Sequence, residues 1–172
     1  TFLLVMTISL FMQDPILEPY AGQVFKMSLA ESTKLNVFYG TGILISYGIT
    51  GFFIVPRLGK RRTIKLGCIL VAFAALLIAC SGFSANPSIL KSTLVLFGLA
   101  TGFVTTAAVT LMLDLTIAEA AGTFIGAWGL AQSMSRGIAT VTGGAILDIG
   151  RKLLPDNLVL AYGMVFGLEA VG

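Results

Sequence analysis

Pro56-Arg57-Leu58-Gly59-Lys60-Arg61-Arg62-Thr63-Ile64-Lys65 places five cations among the nine residues from Arg57 to Lys65. An uncharged apolar run lies on each side, Leu35 to Pro56 before it and Leu66 to Phe83 after it. Each run is close to the roughly 20 residues with which an α-helix crosses a hydrocarbon core of about 30 Å. A basic turn between two such runs reads as a membrane hairpin, with glycine permitting the tight reversal and the cations held at the headgroups.

Composition extends this reading to the whole chain. Of its 172 residues 56% are apolar and only 11% charged, with a mean hydropathy of +0.96. Soluble domains carry about 25% charged residues, so an all-α transmembrane protein is expected. Six apolar stretches can be drawn, at 2–24, 35–56, 66–83, 92–113, 120–147 and 158–172. They form a single transmembrane six-helix bundle, expected to be part of a larger polypeptide because both ends fall inside apolar runs. Ser28-Leu29-Ala30-Glu31 has the spacing of a capping box for the second helix. Gly98/Gly102, Gly122/Gly126 and Gly163/Gly167 are small-xxx-small pairs, which allow helix backbones to approach closely.

The loops at 57–65 and 114–119 share one side of the membrane and hold five Lys/Arg. Those at 26–34, 84–91 and 149–157 share the other and also hold five. The count is a tie, and charge density places the basic turn in the cytoplasm. The net charge of +3 comes mainly from that turn and gives no reason to expect a nucleic-acid partner. Cys68 and Cys80 lie twelve residues apart in one helix, about 18 Å along its axis and beyond disulfide reach. The chain contains no histidine, no nucleophile–base constellation and no metal cluster, so no enzyme is expected.

One apolar stretch is interrupted. Gln13-Asp14-Pro15-Ile16-Leu17-Glu18-Pro19-Tyr20-Ala21-Gly22 carries two carboxylates and two prolines inside the first span. Asp14 and Glu18 are four apart and share a helix face. Pro15 and Pro19 deprive the carbonyls of Phe11 and Pro15 of their usual donors. Ionisable groups within spans are functional candidates because an unpaired charge there is expensive. Arg136, in the middle of the fifth span, is the expected counter-charge for Asp14 or Glu18. The competing expectation ends the first span near Met12 and leaves the interrupted stretch in the interface.

Two resemblances follow from these stretches. Gly51 through Arg62, with Arg57, Gly59, Lys60, Arg61 and Arg62, resembles the G-x-x-x-D-R-x-G-R-R/K loop of the major facilitator superfamily. The acidic residue of that pattern is missing here and Pro56 precedes Arg57. This resemblance implies a six-helix half of a twelve-helix bundle. Gln13 through Phe25 is similar to the Q-D/E-x-x-L-E-P-Y/F-G segment of the bacteriochlorophyll-delivery family, the PucC/LhaA type. Leu35 to Gly42 and Pro56 to Lys60 also resemble that family's next helix and loop. The likeness is best over about residues 10–70 and implies the C-terminal half of such a protein.

What the second resemblance implies is a protein of a photosynthetic membrane, thylakoid or intracytoplasmic. It would assist light-harvesting antenna assembly with chlorophyll or bacteriochlorophyll as bound pigment. Its partners would then be antenna or photosystem proteins, the tetrapyrrole and the lipid bilayer. A chlorophyll magnesium accepts oxygen ligands, and Gln13, Glu18, Asn36 and Gln132 can supply them at membrane depth. Phe11, Tyr20, Phe38, Tyr39 and Trp128 could pack on a macrocycle, although aromatics in spans more often pack or anchor. A proton-coupled transporter using Asp14, Glu18 and Arg136 is the alternative, and a structural subunit of a photosynthetic complex is a third.

Overall fold

The computed structural model describes residues 7, 8, 11, 14–84, 86–114, 121–153 and 158–171. They form six helices: α1 Asp14–Val24, α2 Leu29–Leu58, α3 Lys60–Ser84, α4 Pro87–Asp114, α5 Ala121–Leu153 and α6 Leu158–Val171. Thr7, Ile8 and Phe11 are also helical, and the described residues contain no strand. The helices close into a ring in the order α1–α2–α4–α3–α6–α5, with α5 returning to α1.

The helices outrun the apolar stretches that announce them, for local reasons. α2 begins at Leu29 because the capping box forms. Ser28 Oγ accepts from Glu31 N at 3.3 Å, and Glu31 Oε2 accepts from Ser28 N at 3.0 Å. The loop expected at 26–34 therefore shrinks, and Glu31 and Lys34 ride on helix. At the other end α3 starts at Lys60, so the expected turn of ten residues reduces to Gly59. Its φ of 78° lies where only glycine sits without strain. Gly59 N donates to the Val55 oxygen at 3.0 Å, and Gly59 O accepts from Thr63 N at 3.1 Å. Upstream, α2 widens into a π turn at Thr50–Ile54, where Val55 N reaches back to the Thr50 oxygen. Pro56 follows and has no N–H with which to restore the α register.

Among the described residues three helices, α2, α3 and α4, are long and apolar enough to cross a membrane. α5 has 33 residues but does not join them. Gln132, Ser133, Ser135, Arg136, Thr140 and Thr142 fall in its middle.

Glycine sets the closest helix contacts. At Gly98 a Cβ would strike the Tyr39 carbonyl oxygen, and at Gly42 the Val95 carbonyl oxygen, so α2 and α4 meet backbone to backbone. Ser46 Oγ ties the same seam by donating to Leu99 O at 2.7 Å. The Gly98/Gly102 pair is thus used inside the bundle. Gly122, Gly126, Gly163 and Gly167 face open space. Leu35, Ile78, Leu94, Phe97 and Val104 fill the core around that seam.

Candidate functional site

From Asp14 the acidic-proline stretch is helix through to Val24, and the helix continues across Pro19. Its inner face holds Ile16, Leu17, Tyr20 and Ala21, all within 2% of full burial. Tyr20 belongs to the core. Its hydroxyl donates to the Ile78 oxygen at 2.9 Å, and its ring packs edge-on to Phe25 and Phe166 and tilted against Tyr162, at 5.2–5.4 Å. Gly82 leaves the hole that the hydroxyl fills.

Glu18 lies at the junction with α2. Asn36 Nδ2 stands 3.5 Å from Glu18 Oε1, a long contact that leaves most of the carboxylate's acceptor capacity unused. Glu18 is six residues before the end of α1 and Asn36 seven after the start of α2. Both therefore sit about 10 Å below that end of the bundle at ~1.5 Å per residue. Asn36 is exposed and Glu18 half-buried, so the pair opens outward. Gln13 and the Asp14 side chain lie outside the described residues.

Arg136 is exposed on α5, with its Cζ 4.0 Å over the Phe11 ring centroid. Among the described residues it forms no ion pair with Glu18. Gln132, one turn earlier, is half-buried. Glu18 and Asn36 therefore stand apart from Arg136, and the other expected pairing of Arg136, with Asp14, falls on a side chain outside the described residues. Glu18 and Asn36 lie near one end, and Arg136 lies deeper, beside Phe11.

The residues of the basic motif gather at the opposite end. Val55, Leu58, Gly59, Lys60, Arg61, Arg62 and Leu111 border a shallow open hollow of about 480 Å³. Lys60 pairs with Asp114, which places the 57–65 segment and the end of α4 at the same end of the bundle. The acid absent from the loop is met here by one from another helix. Arg57 is exposed, and Gly51 lies in the π turn.

One polar cluster went unread in the sequence. Arg151 Nη2 donates to Gln23 Oε1 and to the Tyr162 hydroxyl, and that hydroxyl donates to Gln23 Oε1, each at 2.8 Å. This ring joins α1, α5 and α6 beside the Tyr20 aromatics. Arg151 also sits in the last turn of α5, where a cation complements the helix dipole. The available signal was a Gln and an Arg, each near a helix end. Among the described residues no three His, Cys, Asp or Glu side chains group as a metal cluster would require.

The family profile described as PUCC protein matches residues 1–172. The chain belongs to the PUCC family. It is 30% identical over 99% of its length to the "Bacteriochlorophyll synthase 44.5 kDa chain" of Rhodobacter capsulatus, covering 40% of that protein. It is 30% identical over 95% of its length to "Protein PucC" of Cereibacter sphaeroides, covering 36% of it. A "Protein PucC" of Rhodobacter capsulatus is 26% identical over 93% of the chain and 36% of that protein. The chain thus spans about two-fifths of the length of these PUCC relatives. No solved structure matches it.

Proposed function

We propose that this PUCC chain is part of a multi-pass photosynthetic membrane protein that assists light-harvesting antenna assembly by holding a chlorophyll or bacteriochlorophyll. The observation that carries the reading is the Glu18–Asn36 pair. It offers a carboxylate with spare acceptor sites, turned outward at the α1–α2 junction. Glu18 would supply the oxygen ligand that a magnesium tetrapyrrole accepts, and exposed Val37 and Phe38 beside Asn36 on α2 would supply apolar surface for it. Bound pigment would supply the light-absorbing macrocycle. The chain's part is to ligate it at Glu18 Oε2, with Asn36 steadying Oε1, and to present it to the antenna or photosystem proteins. Support also comes from the relative named a bacteriochlorophyll synthase chain. The role is binding rather than catalysis, in a thylakoid or intracytoplasmic membrane. The six-helix ring is, on the same reading, one half of a twelve-helix bundle of the major facilitator type.

The test is pigment content. Protein purified in mild detergent is expected to carry chlorin absorbance, and Glu18→Leu to lower pigment per protein several-fold with antenna assembly. Pigment-free wild type, or full loading of Glu18→Leu, overturns the reading. Exposed Arg136 in mid-helix favours a second reading, a proton-coupled transporter. That reading expects uptake driven by a pH gradient and no bound pigment.

A further inference from the structure

The end of the bundle opposite Glu18 holds more positive charge than nearby acids can match. Arg57, Lys60, Arg61, Arg62 and Lys65 stand there within nine residues. Asp114 ends α4 beside Lys60, and the sequence from there to α5 adds one further acid, Glu119. Five cations less these two acids leave three in excess. The first turn of α3 holds Lys60, Arg61 and Arg62 and no acid, although a helix start favours negative charge. An anion from outside the chain would relieve this crowding.

The cations border a shaped place as well as a charged surface. Lys60, Arg61 and Arg62 line the open hollow together with Val55, Leu58 and Leu111. Its rim is fixed by hydrogen bonds. Gly59 O accepts from Thr63 N at 3.1 Å and from Thr63 Oγ1 at 2.9 Å, and Gly59 N donates to Val55 O at 3.0 Å. A rim already ordered lowers the cost of binding. Guanidinium forks match the oxygens of a phosphate, and the apolar side of the lining suits a ligand that is not phosphate alone.

Arg62 also heads an apolar stripe on α3, one of the helices able to cross a membrane. Leu66, Ile69, Phe73 and Leu76 follow it at four, seven, eleven and fourteen residues, so they share its face, and all four are exposed. Arg62 stands four residues before the apolar run that opens at Leu66, about 6 Å along the axis. The headgroup layer is about 5–8 Å deep on each side of the hydrocarbon. Cation, hollow and stripe thus follow the order of phosphate, glycerol and acyl chain in a bilayer.

We propose that this end of the bundle binds one anionic phospholipid as a defined ligand. Its phosphodiester lies between Arg61 and Arg62 at the hollow, and its acyl chains run along the α3 stripe. Arg57 and Lys65 do not line the hollow and add only the general attraction of cations for an anionic leaflet. The site is independent of pigment at Glu18.

Native mass spectrometry of the purified protein tests this with dioleoyl phosphatidylglycerol and dioleoyl phosphatidylcholine, which share acyl chains and differ in headgroup charge. One phosphatidylglycerol per chain should be retained, roughly 10- to 100-fold more tightly than phosphatidylcholine. Arg61→Gln with Arg62→Gln should remove most of that preference. Arg57→Gln with Lys65→Gln removes the same charge beside the hollow and should leave most of it, with circular dichroism verifying both folds. Equal losses in the two double variants reduce the effect to general attraction and overturn the site. Equal binding of the two lipids, or retention without a break after the first, overturns it as well. Glycerophosphoglycerol is the same headgroup without chains. Displacement of the lipid by an equal concentration of that compound overturns the phospholipid as occupant, and displacement by hexaglutamate assigns the hollow to an acidic protein segment instead.

Discussion

Replacing Gly82 by alanine tests the packing that fixes α1 in the bundle. The added Cβ would lie 2.5 Å from the Tyr20 hydroxyl oxygen and 2.9 Å from Val159 Cγ1. Tyr20 cannot swing away, because Phe25, Tyr162 and Phe166 surround its ring and it is fully buried. Overpacking of this kind costs about 1–3 kcal/mol, offset by up to about 1 kcal/mol from the better helix propensity of alanine. Gly82→Ala alone should therefore destabilise by about 1–2 kcal/mol. Tyr20→Phe loses one buried hydrogen bond, about 1 kcal/mol. The Ile78 oxygen is not orphaned, since Ser81 Oγ still donates to it at 2.7 Å. In the double variant the atom nearest the new methyl is gone. With only the close approach to Val159 Cγ1 left to relieve, it should lie close to Tyr20→Phe in stability, a favourable coupling of about 1 kcal/mol. Unfolding by denaturing detergent, followed by far-ultraviolet circular dichroism, measures the four proteins of the cycle. Additivity within about 0.3–0.5 kcal/mol refutes the assignment of Gly82 as the socket for the Tyr20 hydroxyl.

Gly98→Ala should cost about 1–3 kcal/mol in the same assay because the obstacle is the Tyr39 backbone carbonyl. Gly122→Ala and Gly126→Ala, with open space at Cβ, should be neutral or stabilising by up to about 1 kcal/mol. Tyr162→Phe should lose about 1 kcal/mol, and adding Arg151→Met should lose less than the sum of the two because both touch one ring of bonds. Lys60→Ala should cost under about 1 kcal/mol and lose its effect in high salt. Its partner Asp114 is 56% exposed, which is why screening reaches the pair.

Local chemistry was readable from the chain and distant chemistry was not. The Ser28–Glu31 box and the Gly59 reversal involve neighbours three or four residues apart, so spacing alone reveals them. Span limits came out short because an apolar run ends at its first charge, whereas a helix ends only where its hydrogen bonds do. Lys60 to Lys65 and Glu31 to Lys34 are helical for that reason. Periodicity put Asp14 and Glu18 on one face of α1 but could not say which face turns inward. That choice belongs to α3 and α6, which surround Tyr20, and it makes Tyr20 a core residue where the sequence suggested a ligand surface. Gln23 and Arg151 are 128 residues apart, a pairing no local pattern encodes. The three glycine pairs look alike in sequence. Only Gly98/Gly102 meets a facing glycine, Gly42, and only that pair is packed.

The two ends of the ring are held by different physics, and this bears on where a ligand can enter. At the α1–α2 end, buried aromatic rings and the Gln23–Arg151–Tyr162 bonds join α1, α5 and α6. Each contact is worth about 0.5–1.5 kcal/mol, and none of them pairs two opposite charges for salt to screen. At the basic end α3 and α4 share a partly exposed ion pair, for which about 0–1 kcal/mol is the usual worth. Buried Val55, Ile64, Ala107 and Ala108 lie toward the same end, so helix contact there rests on apolar packing more than on the ion pair. Glu18 and Asn36 sit at the aromatic end and Arg136 nearer the middle of α5, so a pigment of the kind proposed above would enter between helices at the α1–α2 junction without disturbing the basic end.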